Sequence, residues 1–215
     1  MEKVKKLFPL RLGIVAVMFI TSLMLMDRLP ETVPTHWDIN GNVDDYGPKW
    51  VSLYLMPGMA LFFIFLFPLL AKIDPRRKNY AKFPLAWEMI QSVIILFLGY
   101  FHLVMLYLSI HQDKSNLMPA FMFAGIGVMF LLLGYYMMQV KQNYFVGLKT
   151  PWTLDDPKVW DMSHKFTGKV FMLAGLVMIA EAWLQVYMTV ALFGVILAAA
   201  LLPVVHSYLI WRKRH

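Results

Sequence analysis

The groups able to do chemistry in this chain are few and widely spaced. Glu181, His102 and His206 fall inside long apolar runs, where an ionisable side chain is costly unless it faces protein or water. Glu181 could bind a cation, relay protons or pair with a ligand. Its position beside Trp183 and Gln185 also allows simple hydration near a membrane surface. His102 fits an interhelical hydrogen bond better than a catalytic role. Glu88 and Gln91 lie near one end of the run that holds His102. The six His are scattered, and no His-Glu-x-x-His pair, Gly-x-Ser-x-Gly elbow or phosphate loop occurs. An enzyme is therefore not expected, nor a cofactor or metal. With no Cys, disulfides and thiolate metal sites are excluded. The 17 Met read as apolar gap-fillers rather than soft-metal ligands.

One short segment has the spacing of a cation loop. Asp38, Asn40, Asn42 and Asp44 occupy positions 1, 3, 5 and 7 of a calcium-loop count. Val43 then stands where the loop needs glycine, and Lys49 where it needs a bidentate glutamate. The segment reads instead as a turn held by Asx side chains. Asn40-Gly41 predicts a two-residue hairpin turn, because both residues tolerate positive φ. The arms would be 33–39 and 43–46. The whole stretch 27–50 has a net charge of −3 and carries Trp37, Tyr46 and Trp50. A second unusual segment spans 143–169. Asp156-Pro157 marks a helix start, with Asp as cap and Pro at the first helical position. Val159, Trp160, Ser163, Phe166 and Thr167 then recur at helical spacing. They predict a short amphipathic helix at a membrane interface. It would either set the approach angle of the next span or present a recognition surface.

These residues must be positioned by membrane helices. Hydrophobic residues make up 60% of the 215 and charged residues 15%, with mean hydropathy +0.59. Soluble domains carry roughly 25% charge. Six runs reach the ~20 apolar residues that a spanning helix needs: 7–26, 51–71, 85–110, 117–140, 166–186 and 188–210. The first has a basic lead like a signal peptide. It ends in Asp27-Arg28-Leu29-Pro30 without a small-residue cleavage site, so it reads as an uncleaved span. Of the 20 Lys and Arg, 17 fall on the side of the N-terminus; only Arg28, Lys49 and Lys114 fall opposite. This bias predicts both termini in the cytoplasm. The net charge of +7 is distributed between apolar runs, which argues against nucleic acid. Trp50, Trp87, Trp183 and Trp211 lie near span ends, where an interfacial belt is expected. The predicted fold is an all-α integral membrane bundle of six helices, with a small extracellular β-hairpin and a cytoplasmic interfacial helix. It divides into a two-span region, 1–84, and a four-span region, 85–215.

Two segments carry a family resemblance. Leu29-Pro30, Pro34-Thr35-His36-Trp37, Asn40-Gly41, Asp44 and Gly47-Pro48-Lys49 resemble the N-terminal domain of unknown function found in the SdpI family. The run from Asn143 through Gly147 and Thr150-Pro151-Trp152-Thr153-Leu154 resembles that family's C-terminal signature. So do the later Val159-Trp160, Ser163-His164-Lys165 and Gly168-Lys169. Ile73-Asp74-Pro75, Arg77 and Asn79 match the connection after the second span. Lys149, Ser163 and Lys165 depart mildly from the pattern, standing where Arg, Thr and Arg are expected. Lys lacks the bidentate fork of Arg.

The resemblance implies an immunity protein of the bacterial plasma membrane. Such a protein protects its producer from a secreted antimicrobial peptide and also acts as a receptor, holding a cytosolic repressor at the membrane. The expected partners are therefore a peptide toxin outside, membrane lipid and a cytosolic repressor. Candidate contacts for a cationic amphipathic peptide are Pro34, His36, Trp37, Asp38, Asn40, Gly41, Asp44 and Trp50, with Glu181. Candidate contacts for a cytosolic partner are Gly147, Thr150, Pro151, Trp152, Thr153, Trp160, His164, Lys165 and Gly168. The alternative class is a small transporter or channel using Glu181, with His102 and Gln185. Neither an inverted repeat nor a pair of broken helices supports it.

Overall fold

The computed structural model describes residues 7–38 and 41–214. Among them, six helices are long and apolar enough to cross a membrane. They are α1 (Leu7–Leu25), α2 (Trp50–Ile73), α3 (Pro84–Ile110), α4 (Met118–Met137), α6 (Pro157–Leu184) and α7 (Met188–Arg214). A single turn of helix, α5 (Pro151–Asp155), precedes α6. The chain is a multi-pass helical membrane protein. Its ends follow local chemistry: Pro opens α3, α5 and α6, where the missing N–H costs nothing. Gln185, in the left-handed region at φ 54°, closes α6. The connections at 26–49, 111–117 and 185–187 share one end of the bundle, the hairpin end. Those at 74–83 and 138–156 share the other, the basic end.

Helix α3 is the hub. Over half of its apolar window is buried (56%), against 11% for α7. Helices α1, α2 and α4 all pack on α3. Val15 and Met18 of α1, Ala60 and Ile64 of α2, and Ile95 and Leu98 of α3 form one continuous core. Helix α4 meets α6 backbone to backbone. A Cβ on Gly168 would lie 2.4 Å from the Gly134 carbonyl, and one on Gly175 2.5 Å from that of Gly127. Both pairs are seven residues apart on each helix. Small residues at such contacts let membrane helices approach closely without a hydrophobic driving force. Helix α7 packs on α6 and turns Val190, Ile196, Leu197 and Leu201 outward.

The hairpin pairs β1 (Thr32–Trp37) with β2 (Val43–Pro48), antiparallel, from Thr32↔Pro48 to Trp37↔Val43. Its register shifts after Pro34, which has no N–H to donate, and Thr35 is left unpaired. The connection is five residues long, 38–42, rather than the expected two-residue turn. Asp38 closes it: its amide donates to the Asn42 carbonyl, and its carboxylate accepts the Asn42 amide at 2.8 Å. This is the Asx-held turn anticipated from sequence. Asn40 lies outside the described residues. Gly41 has φ +84°, and a Cβ there would meet Pro119 at 2.7 Å, so the tip presses on the start of α4. Val33 and Leu29 dock with Leu53 and Leu106, anchoring the hairpin's base on α2 and α3.

The segment after Asp156 differs from expectation in one respect. Asp156 caps the helix, accepting the Lys158 amide at 2.6 Å, as predicted. No separate interfacial helix follows; α6 runs unbroken from Pro157 to Leu184. The face bearing Val159, Trp160, Ser163 and Thr167 is buried against protein rather than lipid headgroups. Nothing therefore breaks the helix at the interface. Trp87 likewise leaves the expected belt. It is buried and packs edge-on against Tyr80 at 4.9 Å. Trp50 and Trp183 remain exposed.

Candidate functional site

Two sites stand out, one at each end of the bundle. At the basic end, the segments around 74–83 and 140–156 fold into a buried polar cap over α3, α4 and α6. Asp74 is buried, and its carboxylate accepts three hydrogen bonds, from the Arg76 amide, the Tyr80 hydroxyl and the Tyr144 amide. Burial, then the hydrogen bond to Asp74, pushes the Tyr80 phenol well above its usual range. Asn143 is wholly enclosed. Its amide donates to the Lys141 and Val146 carbonyls, and its oxygen accepts the Phe145 and Val146 amides. Arg76 donates to the Leu154 carbonyl and lies 5.1 Å over the Tyr144 ring. Asn79 donates to the Gln142 carbonyl. These contacts tie the loop after α2 to the loop after α4.

The signature residues of 147–168 complete this cap. Thr150 and Thr153 form a reciprocal capping box at the start of α5. The Thr153 hydroxyl also donates to the Leu148 carbonyl. Trp160 donates to the Val140 carbonyl at 2.8 Å and stacks on His164 at 4.0 Å. His164 Nε2 accepts the Leu148 amide, so Nδ1 carries the proton and donates to the Trp160 carbonyl. That pattern requires a neutral ring with one fixed tautomer. Trp152 donates to Ser207, joining the cap to α7. Of the residues predicted to meet a cytosolic partner, Thr150, Thr153, Trp160, His164 and Gly168 are buried, and Gly147 and Trp152 are half-buried. Only Pro151 and Lys165 are exposed.

Two internal polar links were not anticipated in full. Arg11 of α1, 2% exposed, pairs with Glu88 of α3 at 2.8 Å. The signal for it was two opposite charges near the same end of the first and third apolar runs. His102, wholly buried, meets Ser22 and the Met18 carbonyl of α1 at 3.2 Å each, and Ser22 donates to the Leu53 carbonyl of α2. This is the interhelical role expected for His102.

At the hairpin end lies a cleft of about 550 Å³, within the range of small-molecule and side-chain pockets. The hairpin overhangs it with His36, Trp37 and Asp38. Its walls come from α2, α3, α4 and the start of α7. Five Met, at 56, 105, 118, 122 and 188, line it. Of the residues predicted to face a peptide, His36 and Asp44 pair with each other, and Trp50 is exposed. Trp37 is half-buried and donates to the Ser115 carbonyl. Pro34 and Gly41 are buried. Glu181 is also buried; its carboxylate accepts the Tyr187 amide at 2.8 Å and so braces the turn between α6 and α7. Among the described residues, no group of three or more His, Asp and Glu could hold a metal ion.

An acidic hairpin over a six-helix membrane bundle, with a polar cap at the far end, defines the architecture. Residues 139–207, which hold the cap signature and most of α6 and α7, match the SdpI/YfhL protein family. Residues 13–61, which hold most of α1, the hairpin and the first half of α2, match a domain of unknown function, DUF1648. The chain is 26% identical over 201 residues to the protein named Immunity protein SdpI of Bacillus subtilis (strain 168), covering 93% of each. No solved structure matches. By these matches the chain is similar to the SdpI/YfhL family over residues 139–207 and, over most of its length, to a protein named for immunity.

Proposed function

We propose that this protein confers immunity to a secreted, membrane-active peptide by binding it at the hairpin end, with that end outside the cell and both termini in the cytoplasm. The single observation behind this reading is a net acidic hairpin anchored across the mouth of an apolar cleft. Similarity to a protein named for immunity points the same way. The charge of the 27–50 segment would speed encounter with a cationic peptide, and Trp37, Tyr46 and Trp50 would supply contact area. His36, Asp38, Asn40 and Asp44 would set the polar contacts; Pro34 would shape the strand, and Gly41 the connection, that carry them.

The test is survival of a peptide-sensitive bacterium that expresses the full chain, titrated with peptides secreted by related strains. Survival should rise several-fold for at least one peptide. The doubly reversed Asp44→Lys/Asp45→Lys protein should lose part of that gain, because encounter slows. Survival equal to the empty vector across the panel overturns the reading.

A receptor role toward a cytosolic repressor is a second reading. Burial of the cap confines it to the exposed row Tyr144, Lys149, Pro151, Lys158 and Lys165. Crosslinks from Lys158 or Lys165 to a soluble protein should then form only when peptide is present; crosslinks indifferent to peptide count against it.

A further inference from the structure

We infer that the cleft beneath the hairpin, rather than the hairpin's solvent face, is the seat of affinity, and that it takes the bulky apolar side chains of a cationic amphipathic peptide. The inference rests on the immunity reading and names the site within it. Three observations carry it. The lining is mostly apolar and methionine is its commonest residue, with Met105, Met118 and Met122 among the wall residues. Unbranched thioether side chains repack around differently shaped partners, as at promiscuous binding surfaces. The rim holds one carboxylate, Asp38, and the lining contains no Lys or Arg. An anionic lipid headgroup would find no counter-charge there, whereas a Lys or Arg flanking an apolar anchor would find the net −3 segment directly above. The mouth is also at the right depth. Val51 at the first turn of α2 and Met188 and Thr189 at the first turn of α7 border it, so it opens at the ends of the membrane helices. A peptide lying in the headgroup layer buries its apolar face to about that level.

The division of labour follows from the physics of interfaces. Desolvated apolar anchors in a pocket dominate affinity, while exposed rim charges mainly raise the rate of encounter. Filling the cleft should therefore weaken binding, where reversing hairpin charge only slows it. Met122 and Leu192 are half-buried wall residues, so Met122→Trp and Leu192→Trp fill the space with modest strain.

The experiment uses the full chain in nanodiscs and a synthetic Lys/Leu amphipathic helical peptide bearing one photoreactive leucine. Crosslinks should concentrate on Met105, Met122 and Leu192. Both Trp variants, expressed and unfolding at the wild-type temperature, should bind the peptide about tenfold more weakly. Met122→Leu should bind as wild type does. Crosslinks spread over the lipid-facing side chains of α1 and α7 overturn the inference. So does a photoreactive acyl chain that labels the cleft and is not displaced by peptide. In the survival assay, filled variants that still protect as well as wild type sink the cleft alone. Failure of the wild type itself to protect sinks the immunity reading.

Discussion

A Cβ added at Gly147 would lie 2.1 Å from Nε2 of His164, the atom that accepts the Leu148 amide. Gly147 also has φ +112°, a region that side-chain-bearing residues rarely adopt. The glycine and the histidine are thus parts of one device: the absent side chain makes room for the ring, and the ring ties down the next amide. Gly147→Ala should lower stability by about 2–4 kcal/mol, from strain plus the clash. Adding His164→Ala should relieve only the clash, leaving the backbone penalty. Thermal unfolding of the purified single and double variants measures the coupling. Strictly additive losses would contradict the contact.

Asp74 concentrates the cap's bonding in one carboxylate. Asp74→Ala leaves two part-buried amides and a buried hydroxyl without acceptors, and should cost about 2–4 kcal/mol, more than a single orphaned donor. Tyr80→Phe removes one donor and should cost about 1 kcal/mol. The tyrosine also gives a pH signature. Its folded pKa is raised above the unfolded value of about 10. Its contribution is therefore fully present below pH 10 and is lost as pH rises beyond that. Wild type should lose unfolding temperature above pH 10 more steeply than Tyr80→Phe, as followed by tryptophan fluorescence.

The glycine contacts between α4 and α6 should be unequal to glycines elsewhere. Gly168→Ala drives a methyl into the Gly134 carbonyl, at 2.4 Å, and must push the helices apart. A loss of about 1–3 kcal/mol is expected. Gly13→Ala meets nothing within 4 Å and sits in a helix, so it should be neutral or slightly stabilising. Heat resistance in detergent ranks the two; equal values would refute the close packing.

Glu181 offers a direct test against transport. Its carboxylate is engaged by the Tyr187 amide, so Glu181→Gln, which keeps an acceptor oxygen, should leave proteoliposome ion and proton flux unchanged. Glu181→Ala should destabilise the α6–α7 turn by about 1–2 kcal/mol. Flux present in wild type and lost in Glu181→Gln would restore the transporter reading.

The six spans and the hairpin are legible in the sequence, because both signals are local. A 20-residue apolar run must be helical in lipid, where every backbone group needs an internal partner. Turn residues report on their own backbone. Residue types do not report exposure that depends on distant chain. Trp160, Thr153 and His164 have the types of a recognition surface, yet Val140, Leu148 and the Asn143 loop cover them. Asp74 stands in a short connection, and its partners lie up to 70 residues away.

From the chain of residues alone came the membrane class, the number of helices, the charge asymmetry and the family resemblance. Each depends on composition or short-range spacing. Only the tertiary structure decided that the signature residues form a buried cap, that Gly134 faces Gly168, and that five methionines converge beneath the hairpin. The reason is that burial and convergence are properties of helix rotation and tilt. In a uniformly apolar helix, one face is scarcely distinguished from another until a neighbour packs against it.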